Sequence, residues 1–280
     1  MGVRLVLVVL DGLPCRNARR LMGNLEGWVE SGEARVWRMR SVLPSTSASC
    51  YASLHTGTLP QRHGVSGNEA VRRLDVPDIF SEASGAGLVT AAVAHSFFSE
   101  LFVRAPFDPV RDLELDEPGV PIRHGRFYTM AGYNRHNYMI PSDADLLALA
   151  TRLMERNEAD YVLLHTCTPD SLGHMYGPDG PEMEAALFRL DAQLAPFIRR
   201  WRAAGWEVIV TSDHGQGATG HHGGTDPDMR DVALHYFGAA DGPPPDALLS
   251  QLQLAPSILQ RLGVPLPTSM ASPPFLVDAT

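Results

Sequence analysis

Thr211-Ser212-Asp213-His214-Gly215 follows directly on Val208-Ile209-Val210. A β-branched apolar run reads as a buried strand, and the polar residues begin where that strand ends. In open α/β sheets, ligands and catalytic groups collect at the carboxyl ends of the strands. An Asp beside a His at such an end, with a Gly that permits a sharp turn, suits metal coordination. Asp-His pairs are common in turns, so the pair gains meaning only if other strand ends supply matching ligands.

Other strand ends do so. Residues 3–10 form a near-continuous apolar run, as expected of a central strand buried on both faces, and Asp11-Gly12 stands at its carboxyl end. The run 160–165 leads into Thr166-Cys167-Thr168-Pro169-Asp170-Ser171-Leu172-Gly173-His174. Asp170 and His174 are four apart, so one helical turn brings both onto one ion. The glycine-rich loop Gly217-Ala218-Thr219-Gly220-His221-His222-Gly223-Gly224 offers two histidines, one of them placed to complete a metal site. His221 reads as an incidental loop residue. Between these pieces, Pro44-Ser45-Thr46-Ser47-Ala48-Ser49 precedes a short helical segment. Backbone N–H groups and the dipole of a helix N-terminus stabilise an anion there, while the same hydroxyls also serve as ordinary caps. The pattern does not choose among the four hydroxyls. Three Asp, three His and a hydroxyl suffice for two adjacent divalent ions roughly 4 Å apart, a clamp for in-line phosphoryl displacement.

The alternation of strands and helices predicts an α/β fold: three layers, α/β/α, around a central, mostly parallel sheet. Further strands are expected at 88–95 and 232–237, and helices at 16–31, 80–86, 143–157, 182–203 and 246–262. Residues 100–141, rich in Pro, Gly, Arg and aromatics, read as a short lid inserted over the site. Phe127, Tyr128, Tyr133 and Tyr138 could stack on a substrate ring, with packing of the lid the favoured alternative. No repeat or long linker appears, and 1–280 is read as a single domain.

Composition narrows the class. The chain of 280 residues is 44% hydrophobic and 20% charged, an ordinary globular balance. Its net charge of −9 argues against a partner such as a nucleic-acid duplex or an anionic membrane. A small phosphorylated substrate is still permitted, because bound divalent cations reverse the sign locally. Cys15, Cys50 and Cys167 are odd in number and widely spaced, which disfavours a disulfide framework and favours a reducing, cytoplasmic setting. No apolar run reaches membrane-spanning length, and the N-terminal run lacks a small-residue cleavage site, so it reads as a core strand. The sequence does not fix an oligomeric state.

In their order, these motifs resemble the alkaline phosphatase superfamily, and within it the type I phosphodiesterase/nucleotide pyrophosphatase branch. The likeness runs from Asp11-Gly12 through Pro169-Asp170-Ser171-Leu172-Gly173-His174-Met175-Tyr176-Gly177-Pro178 to His222-Gly223, with Leu254 to Gly263 resembling the closing helix. The resemblance implies that Asp170, His174 and His222 hold one metal, and that Asp11, Asp213 and His214 hold the other together with the nucleophile. Zinc is favoured by the Asp/His mixture, and manganese tolerates similar ligands. Counting three residues on from Pro44 and nine back from Thr56-Gly57, the family's nucleophile position falls on Ser47, where the branch usually has Thr; Thr46 is the second candidate. Asn68, in Gly64-Val65-Ser66-Gly67-Asn68, matches an Asn that donates to a phosphate oxygen. The activity implied is metal-dependent hydrolysis of a phosphodiester or pyrophosphate through a phosphoseryl intermediate, with Asn68 and the Ala48 N–H facing the charged oxygens. Phosphonoacetate hydrolase-like and phosphomonoesterase activities are the nearest rivals. A sulfatase is disfavoured because neither Ser47 nor Cys50 lies in a Cys/Ser-x-Pro-x-Arg motif, and a phosphoglycerate mutase because 100–141 is too short for its inserted domain. A metal- or phosphate-binding protein without catalysis is the alternative outside enzymes.

Overall fold

The computed structural model describes residues 2–130 and 140–277. Among them, nine strands form one sheet: β1 (Arg4–Leu10), β2 (Arg35–Arg40), β3 (Thr90–His95), β4 (Glu114–Asp116), β5 (His124–Tyr128), β6 (Tyr161–Thr166), β7 (Trp206–Thr211), β8 (Asp231–Phe237) and β9 (Leu248–Ser250). Their order is β4-β5-β3-β6-β1-β7-β8-β2-β9. The central strands β5, β3, β6, β1 and β7 are parallel, and β8 and β4 pair antiparallel with their neighbours β7, β2 and β5.

The apolar run at the N-terminus has the physical meaning expected of it. Leu5, Leu7 and Val9 enter one hydrophobic cluster with Tyr51, Leu54, Phe80, Phe98 and Ile258, while Val6, Val8 and Leu10 enter another with Leu25, Leu147, Leu187 and Leu194. Side chains alternate across a strand, so a run buried on both faces must be apolar at every position. Helices Ser47–Thr56, Ile79–Gly85, Ser96–Phe102 and Leu254–Arg261 cover the first face. Helices Cys15–Leu21, Gly23–Glu30, Asp143–Asn157 and Pro181–Ala203 cover the second. This is the three-layer α/β/α fold that the sequence predicts.

Several local expectations need correction. The 100–141 stretch is not simply a lid: β4 and β5 within it extend the sheet, with β5 parallel to β3 and β4 closing the edge. Gly125, Phe127 and Leu115 bury against the core because they alternate along these strands, a period obscured in sequence by the surrounding Pro and charged residues. Phe127 is a core residue, the Tyr128 hydroxyl bonds to His165, and Tyr133 and Tyr138 lie outside the described residues. The 16–31 helix is two helices, broken at Met22, whose φ of −92° and ψ of 73° leave the helical region. The 246–262 segment begins as β9, paired parallel with Arg38–Arg40, and becomes α-helical only at Leu254. Strand β2 goes unread in sequence because Arg35, Arg38 and Arg40 interrupt its apolar positions. No helix among the described residues is long and apolar enough to cross a membrane.

Helix Ile79–Gly85 braces the helix that carries Ser47, since Phe80 stacks on His55 at 5.2 Å between ring centroids. Its N-cap, Asp78, is fully buried; Oδ1 accepts from the N–H groups of Phe80 and Ser81, and Oδ2 has no partner. Burial raises the Asp78 carboxyl to about 6, against the opposing pull of the Ser81 N–H and Arg73. A raised folded value means that the native state holds the extra proton. Stability from this group is therefore complete below the unfolded value of about 4 and is lost as pH rises through about 6. We expect denaturant titrations from pH 4 to 7 to show wild type losing on the order of 2 kcal/mol relative to Asp78→Asn, which cannot titrate. Parallel pH profiles for the two proteins would contradict this.

Candidate active site

The register of the three central strands brings the motifs together. Val9 pairs with His165 of β6 and with Thr211 of β7, so β1, β6 and β7 end side by side. Asp11, the helix Thr168–Tyr176 with Asp170 and His174, and Ser212-Asp213-His214 thus emerge at one edge of the sheet. Gly12 permits this approach: at φ 71°, a Cβ there would stand 2.7 Å from the Asp170 Cα and 2.8 Å from its Oδ1.

The ligand-type atoms of Asp11, Asp213 and His214 all lie within 4.8 Å of one another, and so do those of Asp170, His214 and His222. The first group is the one the sequence implies. The second group includes His214 beside Asp170 and His222, and His174, the third residue expected there, stands alongside, its Nε2 3.3 Å from Asp170 Oδ2 and its ring centroid 5.1 Å from that of His222. His214 Nδ1 bonds the Gly215 carbonyl at 3.0 Å, and His222 Nδ1 the Ser45 carbonyl at 3.1 Å. Each ring thereby donates from Nδ1 and turns Nε2 toward the carboxylates, the arrangement that readies an imidazole as a ligand. Burial and neighbouring His214 hold His222 down to about 4, so it stays neutral and able to coordinate.

The carboxylates show the same division of labour. Asp213 Oδ1 accepts from the Gly12 N–H at 3.2 Å, while its Oδ2 has no hydrogen-bond partner. Asp11 Oδ2 accepts from the Tyr51 hydroxyl, while its Oδ1 likewise has none. Buried polar atoms are almost always satisfied, so two orphaned carboxylate oxygens facing one cluster mark a place for a cation. The electrostatics agree. Burial, reinforced by the charge of Asp11, pushes the Asp213 carboxyl well above the usual range. For Asp11 burial is outweighed by His165, His214 and Tyr51, which hold its carboxyl low. Two buried carboxylates whose affinities for a proton diverge in this way are relieved by positive charge between them.

The structure separates the hydroxyls among which the local sequence pattern does not choose. Ser45 Oγ bonds to Gly224 O at 3.1 Å, and Thr46 Oγ1 to Ser49 Oγ at 3.1 Å. Ser47 Oγ alone among the three reaches the cluster, 3.2 Å from His214 Nε2, at the first position of helix Ser47–Thr56. Asn68 lies beside it, but the Ala48 N–H, expected to face substrate, donates instead to Asn68 Oδ1 at 3.0 Å. That bond fixes the side-chain amide and leaves its Nδ2 as the donor end. Ser47, Asn68, Asp11 and Asp170 line a cavity of about 520 Å³ together with Tyr51, Glu69, His95, Phe97 and His165.

Three functional neighbours escape the sequence reading. Tyr51 sits four residues after Ser47 on one helical face, His165 is the polar exception in the β6 run, and Gln216 follows His214 by two. Gln216 Nε2 donates to Asp170 O at 2.9 Å and to Asp170 Oδ1 at 2.8 Å. Gly173 makes room for it, because a Cβ there would stand 1.5 Å from Gln216 Oε1.

An open, mostly parallel sheet with Ser, Asp and His gathered at its carboxyl edge is what the resemblance to the alkaline phosphatase superfamily leads one to expect. The chain belongs to the type I phosphodiesterase/nucleotide pyrophosphatase family, whose model matches residues 5–228. It is 24% identical over 251 residues to the catalytic subunit of human GPI ethanolamine phosphate transferase 3, covering 85% of this chain but 21% of that protein. The chain thus spans about a fifth of that relative's length. Among solved structures, human ectonucleotide pyrophosphatase/phosphodiesterase 5 superposes with a TM-score of 0.70 at 14% identity, covering 94% of this chain and 96% of that one. Its murine counterpart, an inactive form in complex with AMP, gives 0.68 at 14% identity, covering 95% and 96%. The alkaline phosphatase PafA gives 0.72 at 11% identity and covers 98% of both chains. These similarities establish the shared fold.

The crowding at Gly12 yields a direct test. Gly12→Ala combines a left-handed backbone with a clash on Asp170, and should cost about 1–3 kcal/mol in denaturant unfolding. Gly27→Ala, on an exposed helical position in open space, should instead add about 0.5–1 kcal/mol. Equal effects from the two substitutions would refute the tight approach of Gly12 to Asp170.

Proposed function

We propose that this protein is a two-metal phosphodiester or pyrophosphate hydrolase with Ser47 as nucleophile. The observation that carries the reading is the convergence of the Ser47 hydroxyl with two orphaned, buried carboxylate oxygens and two imidazoles that present Nε2. Asp11, Asp213 and His214 would hold one divalent cation beside Ser47; Asp170 and His222, with His174 alongside, would hold the second. When bound, two such ions supply Lewis acidity, lowering the pKa of a coordinated hydroxyl and neutralising charge on the leaving oxygen. Zinc suits the Asp/His set best, and manganese is the alternative.

Ser47 Oγ attacks phosphorus, forming the Oγ–P bond as the bond from phosphorus to the leaving oxygen breaks, and the hydroxyl proton leaves with that oxygen. Water then cleaves the phosphoseryl ester, its oxygen bonding to phosphorus and one of its protons restoring the Ser47 hydroxyl. The helix N-terminus at Ser47 and the Asn68 amide, steadied by the Ala48 N–H, act on the non-bridging oxygens. The family match over residues 5–228 supports a diester or pyrophosphate substrate over a monoester. The AMP bound to the murine relative supports a small phosphorylated ligand.

The experiment is hydrolysis of a chromogenic phosphodiester and its monoester by metal-stripped protein resupplied with zinc or manganese. We expect diester preference, dependence on added metal, and loss on the order of a thousandfold or more in Ser47→Ala. Thr46→Ala should stay within about tenfold of wild type, since its hydroxyl points at Ser49. An active Ser47→Ala would move the nucleophile elsewhere, and monoester preference would make the protein a phosphatase.

A further inference from the structure

We propose that His165 is a positioning residue that fixes the rotation of the Asp11 carboxylate, and that Tyr128 in turn fixes His165; this rests on the two-metal reading above. Neither residue belongs to the ligand set, yet the two form a continuous hydrogen-bonded chain that ends on a ligand. His165 Nε2 lies 3.2 Å from Asp11 Oδ2 and 2.8 Å from the Tyr51 hydroxyl. Its other nitrogen, Nδ1, lies 2.8 Å from the Tyr128 hydroxyl.

Proton counting orders this chain. Asp11 is an acceptor, and the single Tyr51 hydroxyl hydrogen goes to Asp11 Oδ2. Tyr51 oxygen must therefore accept from His165, which requires the hydrogen on Nε2. That hydrogen also faces Asp11 Oδ2, so this oxygen is approached by two donors while Oδ1 has none. A carboxylate rotates easily about its last bond, and anchoring one oxygen aims the other. Oδ1 is the oxygen on the side of His214, 3.5 Å from its Nε2. The ring that does the anchoring is itself enclosed by packed neighbours. His165 has no exposed surface, meets Tyr51 edge-on at 5.0 Å between centroids, and packs on Phe98 at 5.2 Å. Tyr128 comes from β5, the strand that the sequence leaves in an irregular segment, and reaches His165 of β6 across the intervening strand β3. Residues one step removed from a metal ligand act on metal affinity by about 10–100-fold when removed.

The test reads metal binding directly, in the whole protein, by titrating metal-stripped samples with zinc against a chromogenic chelator. Wild type should take up two ions. His165→Phe, which keeps a ring but no donor, should weaken one of the two by about 10–100-fold. His165→Gln, whose amide nitrogen reaches the place of Nε2, should recover most of that loss, and Tyr128→Phe should weaken the same ion by a few-fold. Circular dichroism melts identify any variant that fails to fold; should His165→Phe be one, His165→Gln and Tyr128→Phe decide between them. Wild-type affinity in His165→Phe or in Tyr128→Phe would overturn the proposal, as would a His165→Gln no better than His165→Phe. A wild type that binds no zinc overturns the two-metal site itself, an outcome distinct from a failure of the variants.

Discussion

Three carboxylates, Asp11, Asp170 and Asp213, are buried around His214 at the carboxyl edge of the sheet, each with an oxygen within 4.8 Å of a His214 ring nitrogen and each at most 4% exposed. Burying one unpaired carboxylate is costly, and burying three together is prohibitive without positive charge or dense hydrogen bonding. Much of the surrounding structure answers that constraint. Each acid is anchored through one oxygen or backbone-directed contact: Asp213 by the Gly12 N–H, Asp170 by Gln216, Asp11 by Tyr51 and His165. The oxygens left over on Asp11 and Asp213 are those a cation would claim.

The glycines that surround the site belong to the same economy of space. Gly12 lets β1 end against Asp170, and Gly173 lets Gln216 reach the Asp170 carboxylate from inside the helix. Gly220 approaches the Gly173 carbonyl so closely that a Cβ would stand 2.1 Å from it, which draws the His221-His222 loop onto the helix Thr168–Tyr176. The loop is held from its other side by Ser45, whose Oγ takes the Gly223 N–H and whose carbonyl takes His222 Nδ1. The segment that leads into Ser47 therefore also sets the orientation of a histidine ligand. Nucleophile and ligand are positioned by one stretch of chain.

The hydrophobic layers carry this polar edge and reach it through the Tyr51 hydroxyl. The aromatic group of Phe80, Phe98, Phe102 and His55 sits beneath the helix Ser47–Thr56, and Tyr51 stacks on Phe98 at 4.4 Å. A side chain such as Tyr51, buried through its ring and polar at its tip, links the core to Asp11. Rigidity at the nucleophile is thus supplied from below the sheet edge, where packing is dense, rather than from the loops above it.

By itself the sequence determined the places of strands β1, β3, β6, β7 and β8 along the chain, the three-layer class, and the six Asp and His candidates. Long apolar runs and residues at their ends are local signals, and a parallel sheet carries such ends to one edge whatever the details of packing. The sequence's local pattern did not choose among Ser45, Thr46, Ser47 and Ser49, although the family resemblance pointed to Ser47, and it took β4 and β5 for part of a lid. Those matters depend on which hydrogen bonds the tertiary structure has already spent: Thr46 on Ser49, Ser45 on Gly224, Ala48 on Asn68. Tyr51, His165 and Gln216 were invisible for the same reason, because each acquires its role from a partner more than 30 residues away in the chain, at Asp11, Asp11 and Asp170. Residue type and spacing report what a side chain can do; only the fold decides what is left for it to do.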